Sequence, residues 1–388
     1  MKKKTIVILF VVFTIGVIGL TGCAQKTTKD NSTKKASSIQ ENSADKDNNT
    51  GTKAVAASAV PSKITGKDLK IMVVRKIGGD DHTAQFLAGA KQEGESYGIT
   101  VDTFSANGDS AKFHDAINQA LEKDYDGFII SHGDDAATVD DVKKITAKGI
   151  PVVTFDSSSD ISKIDGVTLT SQDDETLALL SLKNLIQDND GVANIIYLWV
   201  DGFPPMVNRN RQYKAMLEKY PGLKEVERFG VAAADTSVQT QNAVSAMLAK
   251  HPKGTIDAIF ATWDAFAIGA QRAVKEAGRT EIKIYSIDVS NADLQAIQEK
   301  ESSWVSTSAV DPKLIGAVDL RILLKKIAGE DTPKYYDLEA ALITQEELKN
   351  GGTTVNMQNL SDIIPGWGST KAFQEPWMDV LKENNSKK

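Results

Sequence analysis

The chain has 388 residues, 41% of them hydrophobic and 25% charged, which is typical of a globular protein with about two domains. Its formal net charge is −7, and this argues against a nucleic acid as the main partner because phosphate groups would repel the protein. A single cysteine excludes an intramolecular disulfide and any metal or iron–sulfur site built from several cysteines.

Residues 1–22 have the pattern of a secretory signal peptide. Three lysines at positions 2–4 precede an uncharged, largely apolar run over residues 5–22. The following Leu20-Thr21-Gly22-Cys23 resembles the bacterial lipobox. This resemblance implies that Cys23 carries a diacylglycerol, with fatty acids such as palmitate, and becomes the first residue of the mature chain. The alternative is a fortuitous tetrapeptide at the end of an uncleaved anchor, and both interpretations place the only thiol at the membrane.

Residues 24–65 are rich in Lys, Asp, Asn, Ser, Thr and Ala and contain no aromatic residue. Such a stretch buries too little apolar area to offset the entropy lost on ordering. We therefore expect residues 23–65 to be a lipidated, disordered tether that holds a folded body away from the membrane.

From about residue 67, short β-branched runs alternate with longer amphipathic runs. The first series predicts strands over residues 69–75, 100–104, 127–131, 151–156 and 166–170, and helices over 83–97, 111–122, 138–148 and 175–186. The second series predicts strands over 192–200, 226–230, 256–261, 282–287 and 304–308, and helices over 208–219, 237–250, 265–277 and 291–299. Nearly continuous apolar strands between helices predict parallel sheets covered on both faces. The sequence thus predicts an α/β fold of two doubly wound lobes, with a ligand cleft beyond the carboxyl ends of the strands.

Motifs of common enzymes are missing from the sequence. It contains no GxGxxG, Walker A, GxSxG or HExxH pattern. We therefore expect neither an enzymatic activity nor a cofactor.

Five segments resemble the ribose- and galactose-type sugar-binding proteins, the type I solute receptors of ABC importers. They occur in the family's order and are residues 149–156 (GIPVVTFD), 208–211 (NRNR), 257–270 (DAIFATWDAFAIGA), 285–288 (YSID) and 311–316 (DPKLIG). The resemblance implies the type I periplasmic-binding-protein fold, whose three-stranded hinge would cross between the lobes near residues 171, 309 and 338. An N-terminal lobe would then comprise residues 66–171 and 310–337, a C-terminal lobe 172–309 and 338–350, and an extension without counterpart in short members 351–388.

The same resemblance implies a set of ligand-binding residues. Asp156, Arg211, Asp264 and Asp288 fall at strand ends or helix starts, where the family places groups that bind sugar hydroxyls. The aspartates could instead cap helices, and Arg211 could form a surface salt bridge. Trp263 replaces a polar family residue, so its indole is either a platform for the ring face of a sugar or part of the core.

Two residues after the first strand depart from the sugar-binding pattern. His82 stands where family members often carry an aromatic residue. Lys76 resembles the lysine of furanosyl-type autoinducer receptors, although it could also face solvent. The loops over residues 78–82 and 132–135 combine histidine with aspartate, a set that can bind a divalent cation. Because Gly- and Asp-rich loops are usually turns, we predict no metal site.

The expected function is capture of a sugar or polyol by a monomeric, lipid-anchored receptor on the extracytoplasmic face of the cell membrane. Closure of the two lobes around the ligand would precede delivery to the permease subunits of an ABC importer. The alternative is a sensory receptor of the same fold, which binds an autoinducer-like furanosyl signal or reports ligand occupancy to a membrane kinase.

Overall fold

A computed structural model describes residues 59–79, 81–233, 235–352 and 354–387. The predicted signal peptide, Cys23 and nearly all of the tether lie outside these residues. The described chain contains two six-stranded sheets, each flanked by helices. The prediction of two α/β lobes is therefore confirmed.

The first lobe is built on a fully parallel sheet. Its strands are β1 (Lys70–Arg75), β2 (Thr100–Ser105), β3 (Gly127–Ser131), β4 (Val152–Phe155), β5 (Thr168–Gln172) and β11 (Tyr335–Leu338), in the order β11-β5-β4-β3-β1-β2. Its helices are α1 (Asp81–Ser96), α2 (Ser110–Leu121), α3 (Ala136–Ala147) and α9 (Pro312–Ala328). Val73, Ile129 and Val153 pair across three neighbouring strands and are fully buried, as expected for a sheet covered on both faces.

The second lobe repeats this design with one antiparallel edge strand. Its strands are β6 (Ala193–Leu198), β7 (Leu223–Phe229), β8 (Ala258–Ala261), β9 (Lys283–Ile287), β10 (Trp304–Ala309) and β12 (Ala341–Thr344). They lie in the order β12-β10-β9-β8-β6-β7, and β12 runs antiparallel to β10. The helices are α4 (Asp174–Asp188), α5 (Pro204–Lys219), α6 (Thr236–Lys250), α7 (Asp264–Glu276), α8 (Asn291–Gln298) and α10 (Gln345–Asn350).

Several helices begin where the sequence supplies an aspartate cap. The side chains of Asp109, Asp135 and Asp173 each accept a hydrogen bond from the backbone N–H three residues later, at the starts of α2, α3 and α4. Helix α9 ends at Gly329, whose φ of 80° is in the left-handed region that glycine adopts without strain. These local signals set the positions at which chain segments leave the sheets.

Three connections join the lobes at one side of the molecule. The chain leaves the first sheet after Gln172, returns after Ala309, and passes from β11 in the first sheet to β12 in the second. Ligand-facing loops therefore come from strands of both sheets.

The C-terminal tail, residues 351–387, makes a fourth connection. Its first part packs into the second-lobe core through Val355, Leu360, Ile364 and Trp367. Its last helix, α11 (Pro376–Asn385), lies on the first lobe, and the following contacts hold this half there. Nη1 of Arg321 donates to the Thr370 carbonyl (2.9 Å), Nε1 of Trp377 donates to Glu330 (2.8 Å), and Nδ2 of Asn385 donates to the Glu95 carbonyl (2.8 Å).

Among the described residues, every helix is too short or too polar to span a lipid bilayer.

Candidate ligand-binding cleft

A cavity lies between the lobes, at the carboxyl ends of the parallel strands. Arg75 and Gln172 are the last residues of β1 and β5, and Asp156 and Asp288 directly follow β4 and β9. Loops after parallel strands meet at the same edge of a sheet, so the fold brings these residues together. The first lobe contributes Arg75, Ile77, His82, His132, Asp156 and Gln172, and the second contributes Val200, Phe203, Pro205, Met206, Arg209, Ala232, Trp263, Asp264 and Asp288.

Arg209 is the centre of a buried ion-pair network at the base of the cavity. It is 1% exposed. Its Nε donates to Asp174 Oδ1 (2.8 Å), and its Nη1 donates to the Thr262 carbonyl (2.6 Å). Nη1 and Nη2 also donate to the two carboxylate oxygens of Asp288, at 2.9 and 3.2 Å. This bidentate geometry fixes the guanidinium and orients Asp288 toward the ligand space.

Burial and charge oppose each other within this network. Burial alone would lower the pKa of Arg209, but the adjacent carboxylates of Asp288 and Asp174 raise it above its ordinary value. Burial raises the pKa of Asp174 to about 7, although Arg209 acts in the opposite direction. Arg209 is thus charged at neutral pH, and its charge offsets part of the cost of burying the two carboxyl groups beside it.

Asp156 presents a buried carboxyl group to the cavity. The residue is 3% exposed, and neither carboxyl oxygen has a hydrogen-bond partner among the described residues. Burial, assisted by the negative charge of Asp174, raises its pKa well above the ordinary value. Its φ of 46° is in the left-handed region, which is strained for a residue with a side chain. A buried polar group without a partner is costly, and hydroxyl groups of a ligand would satisfy it.

The first-lobe wall is organised by Arg75. This side chain is 1% exposed and donates from Nε to Thr83 (3.0 Å), from Nη1 to Ser131 (3.0 Å) and from Nη2 to His82 Nδ1 (3.1 Å). Because Nδ1 of His82 accepts, the proton of the neutral ring belongs on Nε2. Burial, with nearby Arg75, lowers the pKa of His132 well below its usual value. The wall therefore presents the imidazoles of His82 and His132 to the cavity.

The second lobe supplies an apolar wall in addition to its polar residues Arg209, Asp264 and Asp288. It consists of Val200, Phe203, Pro205, Met206, Ala232 and Trp263. Trp263 precedes α7 and packs edge-to-face on Phe266, with ring centroids 5.6 Å apart. A cavity lined by both hydrogen-bonding and apolar groups suits a ligand that carries both hydroxyls and an apolar surface.

Of the residues predicted from the sequence, five line this cavity: His82, Asp156, Trp263, Asp264 and Asp288. Lys76 and Arg211 do not. Lys76 pairs with Asp134 and with Asp135 (3.2 Å), both in the first lobe. These acceptors satisfy its ammonium group within the first lobe.

Arg211 requires a correction, because Arg209 occupies the position expected for it. The two residues are two positions apart on α5, or about 200° around the helix axis, so they lie on different faces. Arg209 is buried beneath the cavity, whereas the side chain of Arg211 is 63% exposed and pairs with Glu175 (3.0 Å). Arg211 therefore forms a surface salt bridge, which is the alternative role expected for it.

Sequence reasoning also missed Arg75, His132 and Gln172 as lining residues. A usable signal was present, since each ends or directly follows a buried strand. No comparable signal marks the apolar wall, because Phe203 and Met206 lie in an irregular segment and the start of α5.

Among their described residues, the histidine and aspartate loops place both imidazoles in contacts with other side chains. Nδ1 of His82 accepts from Arg75, and Nε2 of His132 lies 3.9 Å from Asp156. Within the ranges that the structure describes, no group of three or more His, Cys, Asp or Glu side chains could hold a metal ion.

Comparisons with known proteins find the same architecture and a consistent set of relatives. Residues 71–331 match the periplasmic binding protein domain family. The ribose import binding protein RbsB of Bacillus subtilis (strain 168) is 25% identical over 274 residues, which cover 66% of this chain and 81% of RbsB.

Two solved structures are more similar in sequence. A sugar ABC transporter protein from Yersinia enterocolitica subsp. enterocolitica 8081 is 49% identical with a TM-score of 0.80, and the match covers 85% of this chain and 99% of that one. The 5-methylthioribose transporter solute binding protein from Thermotoga lettingae TMO, solved in complex with 5-methylthioribose, is 33% identical with a TM-score of 0.76. That match covers 82% of this chain and 99% of the other.

Proposed function

Because the chain belongs to the periplasmic binding protein domain family and is a type I periplasmic sugar-binding protein, we propose that it captures a neutral sugar with an apolar substituent, of the 5-methylthioribose type, and delivers it to an ABC importer. Its relatives are binding proteins of sugar import rather than enzymes. The choice of one type of sugar rests on the residues that line the cavity.

The observation that carries this proposal is that the cavity is lined by both hydrogen-bonding and apolar side chains. Asp156, Asp288 and Gln172 can bind ring hydroxyls, while Met206 and Trp263 belong to the apolar wall. A methylthio group would be favourable beside an indole, since sulfur contacts with aromatic rings are attractive. The relative from Thermotoga lettingae binds 5-methylthioribose, a ligand that has both features.

Ribose and 5-methylthioribose make a matched pair for the test, because only the group on C5 differs. Isothermal titration calorimetry should give a Kd at least about tenfold lower for 5-methylthioribose, since burying the methylthio group is worth about 1.5 kcal/mol. Equal or tighter binding of ribose would refute the apolar subsite. Failure of both sugars and of simple polyols to bind would refute sugar capture itself.

A substitution at Met206 tests the apolar wall independently of the residues that can bind hydroxyl groups. Met206→Ala should reduce the preference for 5-methylthioribose over ribose and change ribose affinity little, because the side chain of Met206 lies on the apolar wall. Met216→Ala is the matched control: Met216 is on the same helix, packs partly buried on another cluster, and is not among the cavity residues. It should leave the preference unchanged.

Membrane attachment at Cys23, a monomeric state and the lobe boundaries at residues 171, 309 and 338 belong to the same proposal. The Leu-Thr-Gly-Cys tetrapeptide supports lipidation of Cys23, and the sheet memberships of β5, β10, β11 and β12 support the boundaries. An attached receptor would keep its ligand close to the importer on the extracytoplasmic face.

Nothing at the cavity favours the sensory alternative over import. Lys76, the residue that resembles the autoinducer receptors, is paired with Asp134 and Asp135 and is not a lining residue.

A further inference from the structure

A contact outside the ligand cavity joins the two lobes directly. Asp81 is the first residue of α1 in the first lobe, and Asn291 is the first residue of α8 in the second. The backbone N–H of Asn291 donates to Asp81 Oδ2 at 3.1 Å, and Nδ2 of Asn291 donates to the same oxygen at 3.3 Å. The carboxylate thus lies at the N-terminus of α8, where the helix dipole favours negative charge.

Both members of this contact are held by further hydrogen bonds. Nε2 of Gln85 donates to Asp81 Oδ2 (3.3 Å). The backbone N–H of Met357, in the C-terminal tail, donates to Asn291 Oδ1 (3.0 Å). Because that oxygen must face Met357, the amide nitrogen of Asn291 is turned toward Asp81. The tail therefore orients one half of the contact in advance.

The contact is also close in sequence to cavity residues on both sides. His82, which follows Asp81, lines the cavity. Asp293, two residues after Asn291, is buried in the first turn of α8 and shares a hydrogen bond with Asp264, another lining residue. A ligand that contacts His82 and Asp264 would bring α1 and α8 together.

We propose that Asp81 and Asn291 form a clasp that stabilises the closed arrangement of the lobes and lengthens the residence of the ligand without touching it. The clasp spans two lobes joined by a hinge, so opening separates its halves and only the closed form contains it. Apparent affinity falls with the population of the binding-competent form. The expected effect on binding rests on the proposed function, and the clasp itself can be tested without a ligand.

Binding kinetics provide the first test. Asp81→Ala and Asn291→Ala should each raise the Kd for 5-methylthioribose about tenfold in the full chain. Stopped-flow tryptophan fluorescence should show that the higher Kd comes from a larger dissociation rate constant, with little change in the association rate constant. The double variant should bind the sugar no more weakly than either single variant, because each substitution alone already removes the same contact. Glu95→Ala is the matched control, since Glu95 lies on α1 with a 55% exposed side chain. Unchanged dissociation in both single variants, or additive losses in the double variant, would overturn the clasp.

Disulfide trapping provides a second test that requires no ligand. Cys23 is the only cysteine of the chain, so Cys23→Ser leaves a background in which Asp81→Cys and Asn291→Cys introduce a single pair. A single short side chain bridges the two backbones in this contact, so cysteines at positions 81 and 291 would be neighbours across the lobes. Mild oxidation should cross-link this pair and not the control pair Glu95→Cys with Asn291→Cys. No cross-link would overturn the clasp even if sugars bind, whereas a protein that cross-links normally but binds no sugar once the disulfide is reduced would overturn only the proposed ligand.

Discussion

Arg209→Met tests whether the buried network below the cavity supports both folding and binding. The substitution keeps an unbranched side chain of similar length but removes the guanidinium. Its hydrogen bonds to Asp174, Asp288 and the Thr262 carbonyl are lost together. Two buried carboxylates then remain close together without their cation.

The expected loss of stability follows from burial. Removing one partner of a buried ion pair costs about 3–5 kcal/mol, because the other charge stays desolvated. Arg211→Met is the matched control on the same helix. Its side chain is 63% exposed and forms one ion pair with Glu175, so its loss should cost less than about 1 kcal/mol.

Urea unfolding of the ligand-free protein, followed by tryptophan fluorescence, measures both values. The stability difference between wild type and Arg209→Met should shrink as the pH falls from 8 to 6. Burial raises the pKa of Asp174 to about 7 even beside Arg209, so without the cation the folded variant takes up protons that the unfolded chain does not bind in this range. Proton binding to the folded state stabilises it. Equal stability of the Arg209→Met and Arg211→Met variants at pH 8 would refute the assignment of Arg209 to the network.

Three further predictions concern the apolar wall, a buried acid and the anchor. Trp263→Ala should raise the Kd for 5-methylthioribose at least about tenfold by calorimetry. The melting temperature of the ligand-free protein should fall only slightly, since Trp263 is only partly buried. A large drop in melting temperature with normal affinity would instead assign the indole to the core. Burial raises the pKa of Asp319 to about 8, so the folded protein holds a proton on this carboxyl group more tightly than the unfolded chain does. The stability that this proton binding contributes is fully present below about pH 4 and is lost as the pH rises to 8, by at most about 1.4 kcal/mol per pH unit. Asp319→Asn should therefore flatten the dependence of urea stability on pH between 5 and 8, and an unchanged slope would contradict this account. Cys23→Ser should abolish incorporation of a fatty-acid analogue, because the chain has no other thiol; labelling equal to wild type would exclude Cys23 as the lipidated residue.

The central strands could be predicted from the sequence because their environment leaves a simple pattern. Strand β3 was expected at residues 127–131 and is found there, with every residue buried. The edge strand β7 begins at Leu223, three residues before the predicted start. Its burial alternates along the chain, so the charged residues of its outer face conceal the strand pattern. The four-residue strands β11 and β12 were not predicted as strands, since they pair only at the sheet edges.

The site was predictable only to the extent that strand ends mark it. Asp156 and Asp288 follow buried strands and were identified by that rule. The choice between Arg209 and Arg211 depends on which face of α5 meets Asp174 and Asp288, which are 35 and 79 residues away from Arg209 in sequence. Neighbouring residues carry no information about such distant partners, so the sequence alone favoured the exposed arginine.

The path of the C-terminal tail has a mechanical consequence. Residues near both ends of the described chain share one core cluster, in which Val60 and Ile64 pack together with Trp377 and Met378 of α11. Asn385 is also bonded to the Glu95 carbonyl on α1. A force applied between residues 59 and 387 would therefore act first on the contacts of α11 with the first lobe. The second lobe is inserted between these points and would bear little of the load until α11 detached. A force on the two ends of this receptor should therefore detach α11 from the first lobe before the two lobes separate.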